Sequence, residues 1–252
     1  MTPPSSSSPR STSPVLAFGV EPSDRAYRLR LARYPALAET LAAVVRARPA
    51  DAGPLRLLDV GVGRGRTLRY LEPHGFADRV RWVGIDLDPR TAARVHRRDA
   101  WRLVHGDVAR PLPFRDGAFD FVVCEQVMEH VGNPAALLRE IARCLRPGGT
   151  LVLGVPTFPP GIAALRGLLP DRGHEGDHGV RGHVGAYSLR SLRRVVRSVG
   201  SFDEIGARGF RFASGGILAP LEDRRWWWRW NAWWGRRLPS LCAEVQTVLR
   251  RR

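Results

Sequence analysis

Three short runs set carboxylates and glycines where a ligand could be held. The first, Leu57-Leu58-Asp59-Val60-Gly61-Val62-Gly63-Arg64-Gly65, is an apolar strand delivering a glycine-rich turn into a helix. Glycine lets the backbone approach a ligand closely and take positive φ. A dinucleotide fingerprint, G-x-G-x-x-G, needs its third glycine at position 66, which is Arg66. The spacing Gly61, Gly63, Gly65 leaves no room for a pyrophosphate-binding helix start and suits an amino-acid nucleoside. The second run, Trp82-Val83-Gly84-Ile85-Asp86, ends in a carboxylate that can accept both hydroxyls of a ribose. The third ends His105-Gly106-Asp107, where an Asp can accept a hydrogen bond from an adenine amino group. In order, at successive strand ends, the three together are specific.

Residues so placed require a parallel sheet with crossover helices, and the hydrophobic pattern supplies one. Strands are expected at Arg56–Val60, Val80–Asp86, Trp101–His105, Phe119–Cys124 and Thr150–Val155. Helices are expected near Arg66–Leu71, Pro89–Arg98 and Pro134–Leu145, the last stopped by Arg146-Pro147-Gly148-Gly149. Later, Leu189–Val199 has helical spacing, and Ser201–Arg211 and Ala243–Leu249 read as strands. The fold class is therefore α/β, a doubly wound Rossmann-like, seven-stranded, mostly parallel sheet with helices on both faces. Around it, residues 1–20, rich in Pro and Ser, read as a disordered tail. Residues 21–53 form a helical segment, with Ser23 as a cap and Leu37, Leu41, Val44 and Val45 as one apolar stripe. The ligand-binding core is 54–157, a Gly/His-rich lid or substrate loop 158–187, and the rest of the sheet 188–252 with a Trp/Arg-rich insertion at 222–237.

At 252 residues the chain suits one catalytic unit with appendages, and no stretch approaches the roughly 20 apolar residues of a membrane span. Three scattered cysteines, Cys124, Cys144 and Cys242, argue against a disulfide framework or a zinc ribbon, so no metal is expected. No export signal is legible, and the expected location is the cytoplasm. Net charge is +16, which points toward nucleic acid or an anionic membrane; yet all 40 basic residues are Arg, a skew that GC-rich coding produces without any electrostatic role.

The motifs of residues 55–156 resemble those of class I S-adenosylmethionine-dependent methyltransferases. Besides the glycine run, Gly84-Ile85-Asp86 and Gly106-Asp107, the match includes Leu112-Pro113-Phe114, Asp116-Gly117, Phe119-Asp120 and Leu145-Arg146-Pro147-Gly148-Gly149. The resemblance implies S-adenosylmethionine as cofactor. It places Asp59, Gly61, Gly63 and Gly65 on the methionine part, Asp86 on the ribose, and Asp107 with Val108 on the adenine, with Leu87 and Glu125 completing the set. Val62 stands where that family often has cysteine or serine. Within the family, Cys124-Glu125-Gln126-Val127-Met128-Glu129-His130-Val131 and His183-Val184 before Tyr187-Ser188 resemble the ubiquinone-biosynthesis-type O-methyltransferases and the methyltransferase type 11 group.

Methyl transfer to a hydroxyl is helped by positioning and by a base of near-neutral pKa. His130, at the edge of the fourth strand, is the first candidate, His183 the second and Glu129 the third; organisation of the loop by Glu129 and His130 is the competing reading. His174-Glu175-Gly176-Asp177-His178 matches H-E-x-x-H literally, but Gly173, Gly176 and Gly179 break the helix that zinc ligation needs. On a helical wheel Trp226, Trp227, Trp230, Trp233 and Trp234 share one sector and Arg225, Arg229 and Arg236 another, with Trp228 out of place. Two readings stay open for this segment: an interfacial helix at the inner face of a membrane, or rings that pack on the domain, line the pocket or make a dimer contact. The function expected is methylation of a small-molecule acceptor, apolar or lipid-linked, on oxygen. RNA or protein methylation, and a catalytically silent membrane-associated cofactor-binding protein, are the alternatives. Nucleic acid is disfavoured because no RNA-binding module or Asn-Pro-Pro-Tyr-type signature is present.

Overall fold

The computed structural model describes residues 28–49, 51–71, 76, 79–88, 90, 101–157 and 187–252. Among them, one sheet holds β1 (Leu55–Val60), β2 (Val80–Asp86), β3 (Trp101–His105), β4 (Phe119–Glu125), β5 (Leu145–Pro156), β6 (Phe202–Phe210) and β7 (Glu244–Arg251). The helices are α1 (Arg33–Arg46), α2 (Arg66–Leu71), α3 (Pro134–Cys144), α4 (Leu189–Val199) and α5 (Arg225–Arg237). Strand order is β3-β2-β1-β4-β5-β7-β6, parallel except for β7, which runs antiparallel to both neighbours. Chain order reverses between β1 and β4, and a crevice opens at the carboxyl ends of strands where such a reversal occurs.

Side-chain alternation along the central strands sorts the core into two layers. Leu57, Phe121, Val123 and Val152 face Leu37, Leu41 and Val45 of α1 and Leu68 of α2. Their neighbours Leu58, Val122, Leu151 and Leu153 face Leu137 and Ile141 of α3 and Leu192 and Val196 of α4. With every residue of β4 buried, that strand reads as one apolar run rather than an alternating one. Local signals set the helix ends. Asn133 Oδ1 accepts from the Ala136 N–H at 3.1 Å ahead of α3; Ser188 and Ser191 form a capping box on α4, which Gly200 ends at φ 73°. Pro35 sits in the first turn of α1, where its missing N–H breaks no helical bond.

The junction of α3 and β5 differs from the expected one. The chain passes from Cys144 directly into β5 because Leu145 already pairs with Phe119, so the strand begins before Thr150. The Ser23 cap and most of the Pro89–Arg98 helix lie outside the described residues.

Helix α5 packs against β6 along Gly235, whose missing side chain lets the helix backbone approach the Gly209 carbonyl. Its inward side is Trp227, Asn231 and Gly235. Asn231 locks the contact by donating to the Trp227 carbonyl at 3.1 Å and accepting from the Ala213 N–H at 3.0 Å. The single tryptophan sector of the wheel is thereby corrected: Trp227 is buried, while Trp226, Trp230 and Trp233 are 57%, 37% and 46% exposed. Trp228 is turned toward the α1 layer, donating its indole N–H to the Glu222 carbonyl at 2.6 Å.

At the amino end of the central strand β4, Asp120 joins four elements. It accepts from the Arg56 N–H at 2.8 Å and from Arg146 Nε at 2.7 Å, and pairs with Arg48 at 3.2 Å. Burial alone would raise its pKa, but the Arg56 and Arg146 hydrogen bonds hold it down at about 2. A depressed carboxylate stabilises the fold above its unfolded value near 4 and loses that contribution as pH falls toward 2. Asp120→Asn is expected to lower unfolding stability at pH 7 by about 1–3 kcal/mol and to flatten its dependence below pH ~4, measured by urea denaturation. Gly235→Ala is expected to cost about 1–3 kcal/mol by forcing α5 off β6, read as a lowered Tm.

Candidate functional site

The crevice residues arrive from β1, β2, β3 and β4. After Val60 the chain turns through Gly61, Gly63 and Gly65, at φ 73°, 49° and 68°. This turn is tied to β2: the Gly61 and Val62 amides donate to the Ile85 carbonyl at 2.8 and 3.1 Å, and the Gly63 amide donates to Asp86 Oδ2 at 2.8 Å. Asp86 also accepts from the Asp88 N–H at 3.0 Å, which fixes its carboxylate at the strand end while leaving lone pairs for a ligand. A side chain on Gly61 would collide with Val127, whereas one on Gly63 would meet nothing nearer than 3.9 Å. The turn is thus open at Gly63.

Strand β3 brings the next residues alongside. Asp86 pairs in register with His105, and the Gly106 amide donates to the Asp86 carbonyl at 2.9 Å, so Asp107 follows immediately at the same edge. Its carboxylate accepts from the Ala109 N–H at 2.9 Å, and Val108 packs on the core beside it. Leu87 is 62% exposed at the rim. The structure therefore gathers Gly61, Gly63, Gly65, Asp86, Leu87, Asp107 and Val108 along one sheet edge.

Behind that edge lie three buried acids. Asp59 on β1, Glu125 ending β4 and Glu129 in the 3-10 turn Met128–His130 each carry an oxygen without a hydrogen-bond donor among the described residues. Burial pushes the Asp59 carboxyl up to about 8 against a hydrogen bond from Thr67. Burial also raises Glu125 and Glu129 to about 7 each, and Glu125 adds charge repulsion to both of the others. A cluster of strongly perturbed acids at the end of a sheet is a candidate site of chemistry. Glu125 sits in space left by Gly154, where any side chain would overlap its carboxylate. Gln246 donates to Glu125 at 2.8 Å and Arg33 faces it at 3.4 Å, so this acid points into a buried network of α1, β4 and β7.

Several members of this arrangement escaped the sequence. Arg33 and Glu244, 3.0 Å apart and both buried, complete the network. Gln126 takes φ 58°, a conformation costly for a non-glycine residue, as the chain leaves β4. Tyr187, buried, donates its hydroxyl to the Met128 carbonyl at 3.4 Å and borders Glu129. A single positive signal was available for it, its place next to the motif residues. His130 is half-buried at the end of the Glu129 turn. His183, the His174–His178 motif and the loop 158–186 lie outside the described residues.

An acceptor-rich set of this kind fits S-adenosylmethionine. Ribose hydroxyls, an amino group and an ammonium are all donors, and the Asp59 oxygen buried without a donor, the open backbone at Gly63 and the fixed carboxylate of Asp86 are acceptors or space for them.

Comparison with known proteins agrees. Residues 58–153 match the model of a methyltransferase domain. A 120-residue stretch, 44% of the chain, is 35% identical to an uncharacterised 37.1 kDa protein in a transposon of Streptomyces fradiae and spans 32% of that protein. Over 209 residues the chain is 32% identical to an uncharacterised methyltransferase of Mycobacterium leprae, covering 77% of this chain and 70% of the relative. Among solved structures, an S-adenosylmethionine-dependent methyltransferase from Mesorhizobium loti aligns with TM-score 0.54 at 18% identity, over 86% of this chain and all of that one (100%). The 1,6-didemethyltoxoflavin-N1-methyltransferase of Burkholderia thailandensis, bound to its substrate and S-adenosylhomocysteine, aligns with TM-score 0.55 at 17% identity, over 91% and 80% of the two chains. By its sequence relatives and its sheet order alike, the chain belongs to the class I S-adenosylmethionine-dependent methyltransferases.

Proposed function

We propose that this methyltransferase acts on the oxygen of a small apolar or lipid-linked acceptor, with Glu129 as the base. The observation that carries the reading is the Glu129 carboxyl: 1% exposed, without a donor on Oε2, and raised by burial to about 7. A hydroxyl acceptor must lose a proton as it is methylated, and a carboxylate tuned near neutral pH can take it. His130, in the same turn, is the residue that would carry the proton onward to solvent. Bound S-adenosylmethionine supplies a methyl group activated by a sulfonium. The chain's part is to hold it, with Asp86 and Leu87 at the ribose, Asp107 and Val108 at the adenine, and Asp59 with Gly61, Gly63 and Gly65 at the methionine part. Glu125, in this reading, supports the edge from beneath through Arg33 and Gln246 rather than meeting the cofactor directly.

Apolar character in the acceptor is supported by Trp226, Trp230 and Trp233, exposed on α5 beside arginines and suited to peripheral contact with the inner face of a membrane. Among the described residues no helix is long and apolar enough to cross one. A nitrogen acceptor is the second reading, favoured by the structural likeness to the toxoflavin N-methyltransferase.

Asp86→Ala is expected to weaken S-adenosylmethionine binding about a hundredfold by calorimetry, with the circular dichroism spectrum retained; unchanged affinity would remove Asp86 from the site. For the wild type, kcat should rise with pH through about 7 as Glu129 ionises and then level off. Glu129→Gln should lower kcat by at least about a hundredfold and abolish that rise. A variant that keeps the wild-type pH profile would disqualify Glu129 as the base.

A further inference from the structure

On the α1 side of the sheet, at the edge strand β6, a groove of about 690 Å³ lies between α1 and α5, with Arg208, Gly209 and Phe210 of β6 as its floor. Its walls are two facing helical stripes. From α1 and the residue before it come Ala32, Ala36, Glu39, Ala42 and Arg46; from α5 come Arg225, Arg229, Ala232 and Arg236. The spacing of three, four and seven puts each set on one helix face. Alanines on both walls leave the space open, and Leu29, Pro35, Phe210 and Trp228 add apolar residues to the lining.

Charge in this groove is one-sided. Six arginines, Arg46, Arg208, Arg211, Arg225, Arg229 and Arg236, line it against one acid, Glu39. That acid is already engaged by Arg208 at 2.6 Å, and Arg211 is engaged by Glu244 at 3.0 Å. Arg46, Arg229 and Arg236 make no side-chain hydrogen bond or ion pair among the described residues. The groove thus combines arginines with apolar surface between α1 and α5, an arrangement that an anion with an apolar body would satisfy. The volume lies in the range of small-molecule sites.

We propose that this groove binds an acidic amphiphile, with a phosphate or carboxylate head at Arg46, Arg229 and Arg236 and a single apolar chain along the alanine walls. The groove stands four strands from β1, about 19 Å across the sheet, so the amphiphile is a ligand additional to the cofactor and the proposal holds whichever atom is methylated. The exposed tryptophans of α5, Trp226, Trp230 and Trp233, are not among the residues that line the groove.

The test is calorimetric titration of the full-length protein with dodecyl phosphate below its micelle-forming concentration, beside inorganic phosphate and the uncharged dodecyl maltoside. One equivalent of dodecyl phosphate should bind, at least about tenfold tighter than either control. Arg229→Glu and Arg46→Gln should each weaken it by about tenfold or more, and Ala232→Leu, which fills the groove without changing charge, should do the same. Trp233→Ser should leave it unchanged. Equal binding of dodecyl maltoside would overturn the anionic head, and equal binding of inorganic phosphate would overturn the apolar chain. Loss of binding only in Trp233→Ser would move the ligand to the tryptophan face and refute the groove. Absence of dodecyl phosphate binding by a protein that still binds S-adenosylmethionine would refute the site, whether because residues 1–27, a second copy or an RNA takes its place, and would leave the methyltransferase reading standing.

Discussion

Arg33 is a buried cation at the first position of α1, set between Glu244 at 3.0 Å and Glu125 at 3.4 Å. Burial works against its charge, and Tyr34, Glu244 and Glu125 outweigh it. Through this one guanidinium the N-terminal helix, the end of β4 and the start of β7 are held in register. Breaking a buried pair by removing one partner costs several kcal/mol because the other charge is stranded. Of the strand ends so fixed, that of β4 leads into the candidate site, so the ion pair bears on chemistry as well as packing. Arg211, whose backbone takes φ 61° as the chain leaves β6, extends the network by pairing with the second oxygen of Glu244.

From that constraint follows the character of the carboxyl edge. Burial raises the pKa of the acids packed below the surface, and the half-buried Asp86 and Asp107 accept from backbone donors at the rim. One edge thus offers two kinds of carboxyl group: rim carboxylates suited to hold hydroxyl and amino donors, and a buried one suited to exchange a proton. Environment, rather than residue type, separates their roles.

Local signals made much of this legible. The strand Val80–Asp86 matches expectation as a run whose apolar Val80, Trp82 and Ile85 are buried, and Trp101–His105 matches as an edge strand with Trp101, Leu103 and Val104 half-buried. Gly61, Gly63 and Gly65 could be read because the turn needs positive φ and close approach in a fixed order. What could not be read depends on partners far apart in the chain. Arg33 and Glu244 are separated by 211 positions, and Glu125 and Gln246 by 121, so no window of sequence joins them. Glu125 resembled a cofactor ligand by position, and only Gly154 across the sheet shows which way its side chain has room to go. The tryptophans teach the same lesson: the helix was legible, but which rings are buried was decided by Gly235 meeting Gly209.

The proposed methyl transfer to a small apolar acceptor is tested most directly by incubating purified protein with methyl-labelled S-adenosylmethionine and a cell extract. Organic-soluble, aqueous small-molecule, RNA and protein fractions are then separated and counted. The account predicts label in the organic-soluble fraction. Label confined to RNA or protein would contradict it.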